Sequence, residues 1–219
     1  MDEEQRFQRV AGEWAADGRG IPQVAEWAET LAGGVGSRAV VLVEGTSDQV
    51  ALGALAERRG RDLDADGILI VAIGGATNIG HFLDLLGPQG FDVRLAGLCD
   101  VAEEGDFRRG LERAGLGFNL ARAEMGSLGF FVCVADLEDE LIRSLGATSV
   151  EEVIDAQGEL GSFRIFQKQP EWRARTHEEQ LRRFMGTRSG RKIDYARLLV
   201  GALDLNQVPP PLDGVLAHV

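Results

Sequence analysis

Short, nearly continuous apolar runs recur along the chain, and each ends on an acid or a glycine step. They are Ala39–Glu44, Ile68–Gly75, Leu95–Asp100 and Gly129–Asp136. Runs of this kind, without strict alternation, fit strands buried on both faces. The pattern predicts strands over 39–44, 68–73, 93–99 and 129–135. Between them the apolar spacing turns helical, with Val50, Leu52, Leu55 and Ala56 after the first run. Further helices are predicted near 78–86, closed by Gly87-Pro88, near 105–115, and over Leu137–Leu145. This alternation predicts an α/β fold, with a parallel sheet covered on both faces and right-handed crossovers. Residues 3–16 and 22–32 read as two amphipathic helices, the second opened by Pro22. From 148 onward the strand pattern stops. Helices are expected over 150–156, 177–186 and 191–203, with a last short one after Pro209-Pro210-Pro211. The resulting division is a helical extension over 1–37, a sheet core over 38–147, and a helical region over 148–219 packed on that core.

Composition narrows the class. No apolar run approaches the ~20 residues of a membrane span. The first residues are acidic, which argues against a secretory leader and for a cytoplasmic protein. Cys99 and Cys133 each sit inside an apolar run, so buried free thiols are expected rather than a disulfide. The net charge is -12, which excludes a general nucleic-acid coating protein. It is unevenly spread: Arg164 to Arg197 holds ten Lys/Arg against four Asp/Glu. An acidic body with one basic segment suits carboxylates that hold metal beside a surface that meets phosphate.

The strand ends carry the candidate chemistry. Ligands of open α/β sheets bind outside the carboxyl ends of the strands. There Glu44, Asp100 and Asp136 would converge, and such a cluster repels itself unless a hard cation or shared protons relieve it. Mg²⁺ or Mn²⁺ is the expected cation, and phosphate chemistry its usual use. In Val43-Glu44-Gly45-Thr46-Ser47-Asp48, Gly45 permits the turn, Ser47 is placed to cap the next helix, and Asp48 falls in its first turn. After Asp100, either Glu103 or Glu104 can supply a second carboxylate. Asp136 is placed as an N-cap, and Glu138 is the candidate for the metal edge among Glu138, Asp139 and Glu140. A capped helix start with an acidic first turn uses the same residue types, so each motif also has a purely structural reading.

Gly74-Gly75 after the second strand can bring bare amides close to a phosphate. Gly186 to Lys192 lacks the ending of a Walker A loop and follows no strand. It instead opens a helix with Lys192 directed at a phosphate. His81, His177 and His218 are scattered, with no zinc or metalloprotease spacing. Tyr195 is the one tyrosine, expected in packing.

Taken together, Val-Glu-Gly-x-Ser-Asp after the first strand, Gly-Gly after the second and Leu-Cys-Asp after the third resemble a TOPRIM domain. That Rossmann-like fold, a mainly parallel four-stranded sheet flanked by helices, is shared by topoisomerases, primases and some nucleases. Leu-Glu-Asp-Glu-Leu and Gly-Arg-Lys resemble the TOPRIM region of OLD (overcoming lysogenization defect) family nucleases. The resemblance covers about residues 38–200. It implies a Mg²⁺- or Mn²⁺-dependent endonuclease using one or two ions. Glu44 and Lys192 would be catalytic, and Glu44, Asp48, Asp100, Glu104 and Glu138 would hold metal. Gly74, Gly75, Arg182, Arg183, Arg188 and Arg191 would meet nucleic acid, DNA in the first place. Ala102 stands where the family's Asp-x-Asp has its second acid. OLD nucleases carry an ATPase domain ahead of TOPRIM, so the resemblance implies a stand-alone module served by a separate ATPase subunit or by none, and a homodimer stays open. The alternative is a weakly active or inactive TOPRIM module that binds or regulates alongside such an ATPase.

Overall fold

The computed structural model describes residues 39–188 and 190–219. The helices expected over 3–16 and 22–32 lie outside the described residues. Four strands form one sheet: β1 Ala39–Val43, β2 Ile68–Ala72, β3 Arg94–Cys99 and β4 Phe130–Val132. Their order is β2-β1-β3-β4 and every pairing is parallel. Val43 is level with Ala72 on one side and Leu98 on the other. Chain order therefore reverses between β1 and β3, the switch point where open sheets form a crevice.

Side chains along the strands alternate between two cores. One face sends Val41, Val43, Ile68, Ile70, Ala96 and Leu98 into the larger core. It is covered by α1 (Thr46–Arg58), α5 (Leu137–Leu145) and the helices that follow. These are α6 (Ala147–Ala156), α7 (Leu160–Gln167), α8 (His177–Met185), α9 (Arg191–Ala202) and α10 (Pro210–His218). The other face sends Val40, Leu42, Val71, Leu95 and Phe130 into a second core. Its cover is a 3-10 turn at Ala76–Asn78, α2 (Ile79–Leu86), α3 (Glu104–Arg113) and α4 (Arg122–Ser127). No helix among the described residues is long and apolar enough to cross a membrane.

Helices α4 and α7 were not expected from the pattern. The first has six residues and buries only Met125, so it shows no period. The second contains Gly161 and bulky β-branched or aromatic residues, which are poor helix formers. It is held by burial: Phe163 and Phe166 pack on Phe184, with ring centroids 5.1 and 5.8 Å apart. Strand β4 is shorter than expected. The Cys133 amide still donates to Cys99 at 2.9 Å, but the Val134 amide turns to Glu140 Oε1 at 2.7 Å. As an edge strand, β4 has no second neighbour to hold its end.

Two arginines join the helices of the larger core. Arg58 Nη1, at the end of α1, donates to the carbonyls of Val200 and Leu203 at 2.6 and 2.7 Å, which satisfies the C-terminus of α9. Arg61 reaches the carbonyls of Leu216 and Val219 at the end of α10. In the sheet itself, Gly97 on β3 has no room for a side chain. A Cβ there would stand 2.6 Å from Phe130 Cδ1 and 3.0 Å from the Leu42 carbonyl. Phe130 is fully buried, edge-on to Phe107. Gly97→Ala is therefore expected to lower unfolding free energy by about 1–3 kcal/mol, read as a lower urea midpoint at unchanged slope.

Candidate metal centre

Three carboxylates meet at the switch point. One oxygen each of Glu44, Asp100 and Glu103 lies within 4.8 Å of the other two. Glu44 follows β1 directly, and its Oε1 accepts a hydrogen bond from the Asp100 amide at 2.8 Å. The side chain thus spans from the end of β1 to the end of β3. Glu103 arrives by a tight turn. Its amide donates to the Asp100 carbonyl at 3.1 Å, which folds the chain back after β3. Glu103 Oε2 is buried and has no hydrogen-bond partner. Glu104 is not part of this group: it faces away, paired with Arg122 and, at 3.8 Å, with Arg108. The residue at the position of the missing second acid, Ala102, is exposed.

Asp48 and Glu138 add two buried carboxylates from helix starts. The helix α1 begins at Thr46 with Gly45 as N-cap, so Ser47 lies inside the first turn and does not cap it. Asp48 closes that end instead, accepting from the Gly45 amide at 3.0 Å. Asp136 is the N-cap of α5, accepting from the Asp139 amide at 2.9 Å, and it also pairs with Arg182 at 2.6 Å. The three acids after it divide. Asp139 pairs with Arg143, while Glu140 holds the Val134 amide and also Arg143. Glu138 faces Lys192, 3.1 Å away at the start of α9, and its Oε1 is buried without a partner.

Burial and mutual repulsion set the charge state. The Asp100 carboxyl is pushed up from 3.8 to about 8, first by desolvation and then by Glu44, Asp48 and Asp136. Glu44 rises from 4.5 to about 6, by desolvation and then Glu103 and Asp48, against the pull of the Asp100 amide. Asp48 and Glu138 are also raised by burial, and Lys192 opposes both shifts. Burial works against the Lys192 ammonium, yet Glu138, Asp48 and Asp100 together hold its pKa above the ordinary lysine value. Carboxylates that resist ionising together, with two buried oxygens lacking donors, fit a hard divalent cation. The donor set is all oxygen, which suits Mg²⁺ or Mn²⁺ rather than a thiophilic metal.

The other expected contacts scatter. Gly74 and Gly75 have φ of 72° and 115°, a conformation that suits glycine. The Gly75 amide is engaged with the Glu44 carbonyl at 3.2 Å, which fixes this turn beside the acid group. Arg182 and Arg183 line a cleft with Lys192. Arg188 sits 3.6 Å from Glu159. Arg191 is a buried strut: it donates to the Phe184 carbonyl, Thr187 and Glu159, and lies 4.2 Å over the Phe184 ring. Tyr195 also donates to Glu159, at 2.9 Å.

The raised carboxyls carry a stability consequence. Protons bound more tightly by the folded state stabilise it below the unfolded pKa near 4, and that gain is lost as pH rises through the folded values of about 6 and about 8. Metal-free protein should therefore lose thermal stability between pH 5 and pH 8. The loss should shrink in Asp100→Asn. Added Mg²⁺ should raise the melting temperature more at pH 8 than at pH 5. Differential scanning calorimetry reads all three.

Comparison with known proteins agrees with this fold. The family model for the TOPRIM domain of overcoming lysogenization defect (OLD) protein-like sequences matches residues 37–101, which contain Glu44, Asp48 and Asp100. The C-terminal region of the OLD protein of Xanthomonas campestris pv. campestris superposes with a TM-score of 0.64 at 27% identity, over 83% of this chain and 94% of that one. The C-terminal region of the Burkholderia pseudomallei OLD protein shares the fold, with a TM-score of 0.65 at 21% identity over 83% and 96%. No curated protein sequence matches the chain. Residues 37–101 thus match the TOPRIM domain of OLD-like proteins, and the described region resembles the C-terminal region of OLD proteins.

Proposed function

We propose that this protein is a metal-dependent nuclease that hydrolyses phosphodiester bonds of nucleic acid, DNA in the first place. The observation that carries this is the group of Glu44, Asp100 and Glu103 within reach of one ion. Asp48 and Glu138 stand in the same electrostatic cluster through Asp100 and Lys192. One or two Mg²⁺ or Mn²⁺ ions held by these carboxylates would polarise the scissile phosphate and make an attacking water more acidic. The chain's own contribution is positional. The Asp100 amide fixes the rotamer of Glu44, and the Asp100–Glu103 turn fixes the third carboxylate. The Lys192 ammonium balances charge that develops on phosphate oxygens. Arg182 and Arg183 hold the backbone without reading bases. The partner this implies is nucleic acid, with a separate ATPase subunit as the source of any nucleotide dependence.

Ala102 favours a second reading, a TOPRIM module that binds nucleic acid without turnover. Glu103 weighs against it, because the turn after β3 supplies a carboxylate despite Ala102.

Supercoiled plasmid incubated with Mg²⁺ or Mn²⁺ separates the two. The nuclease reading expects nicking or linearisation, lost in EDTA and reduced at least about 100-fold in Glu44→Ala and Lys192→Ala. No cleavage with either metal supports the binding module. Cleavage by Glu44→Ala at the parent rate refutes the proposed site. Among the neighbouring glutamates, Glu103→Ala is expected to lose activity, whereas Glu104→Ala stays within about twofold, since surface pairs contribute little.

A further inference from the structure

Beside the acid group, the start of α5, the turn before α8, α8 itself and the start of α9 enclose a cleft of about 480 Å³. Asp136, Glu138, Trp172, Arg182, Arg183 and Lys192 are among the residues that line it. The volume lies within the range of small-ligand sites. It has room for one nucleotide. Glu138 and Lys192 line the cleft, and Lys192 also interacts electrostatically with Asp48 and Asp100 of the acid group.

Trp172 is built in rather than left on a loose turn. Phe166 stacks on its ring with centroids 5.4 Å apart. The buried Gln180 donates through its amide to the carbonyls of Trp172 and Arg175, at 2.8 and 3.2 Å. The Arg183 guanidinium lies over the indole, 6.0 Å from the centroid. With Phe166 already stacked on the indole, a nucleobase stacks there by displacing the exposed Arg183 guanidinium, with little regard to sequence. Lys192 and Arg182, paired here with Glu138 and Asp136, supply the positive charge for the phosphates on either side. A base paired inside a duplex cannot reach such a platform.

We propose that this cleft binds one unpaired nucleotide of the substrate strand, its base stacked on Trp172, so that single-stranded or flapped nucleic acid is preferred over duplex. The position of that nucleotide beside the cut rests on the nuclease reading, whereas the binding itself does not.

Fluorescence anisotropy tests it, with Ca²⁺ in place of Mg²⁺ and labelled oligo-dT, oligo-rU and a duplex of equal length. The parent should bind single strands more tightly than duplex. Trp172→Ala should lose roughly tenfold in single-strand affinity, with duplex affinity unchanged. Trp172→Phe, which keeps a stacking ring, should retain most of it, and thermal melting of both variants shows whether the fold persists. The dT and rU arms show whether the strand is DNA or RNA. Unchanged single-strand affinity in a folded Trp172→Ala, or an equal loss on duplex, overturns the inference. Plasmid cleavage with no Trp172 effect removes the cleft and leaves the nuclease. A Trp172-dependent preference without cleavage removes the nuclease and leaves the cleft.

Discussion

Repulsion between carboxylates in a poorly solvated crevice is the constraint around which this molecule is arranged. Parallel strands in the order β2-β1-β3-β4 deliver Glu44 and Asp100 to neighbouring strand ends, and the Asp100–Glu103 turn adds a third acid. Nothing in the hydrophobic core requires those charges to meet. Burial, and then their proximity, raises the pKa values of Glu44 and Asp100, while Glu103 Oε2 and the nearby Glu138 Oε1 are buried without donors. Such an arrangement costs stability in the folded chain, and the chain meets that cost with an amide aimed at Glu44 and an ammonium beside Glu138. A site that is strained alone and relieved by a cation is pre-organised for binding it.

Much of this was legible in the sequence because it depends on short-range features. Apolar runs ending in acids locate the strands, and a parallel sheet with helical crossovers brings the strand ends to one edge. Glu44, Asp48, Asp100 and Glu138 follow from that logic. What was not legible depends on turn geometry and on competition between partners. Glu103 and Glu104 are adjacent acids. Only the fold-back from Asp100 and the nearby Arg122 decide which one turns inward. Arg191 reads as one more surface cation in a basic segment, yet it is buried between Glu159 and Phe184. Helix α7 was missed because its local preference is weak and its stability comes from aromatic contacts with α8.

The helical region downstream of α5 does two jobs at once. It covers one face of the sheet with Phe163, Leu181, Leu199 and Leu216, and it carries the basic wall of the cleft. Glu159, held by Arg191 and Tyr195, ties the loop after α6 to the first turns of α9, the stretch that presents Lys192. Charge placement in that segment is therefore inseparable from its packing.

The ties made by Arg58 bear on how such a protein can be divided. Arg58 ends the helix that carries Asp48, and it grips the far end of the helix that carries Lys192. Acid and counter-charge ride on two helices fastened to each other. The segment that matches the family model holds Glu44, Asp48 and Asp100 but not that ammonium. Excised or recombined on its own, it would be an acidic edge without its neutralising half. A cut between sheet and tail would sever both the Arg58 ties and the charge balance of the site.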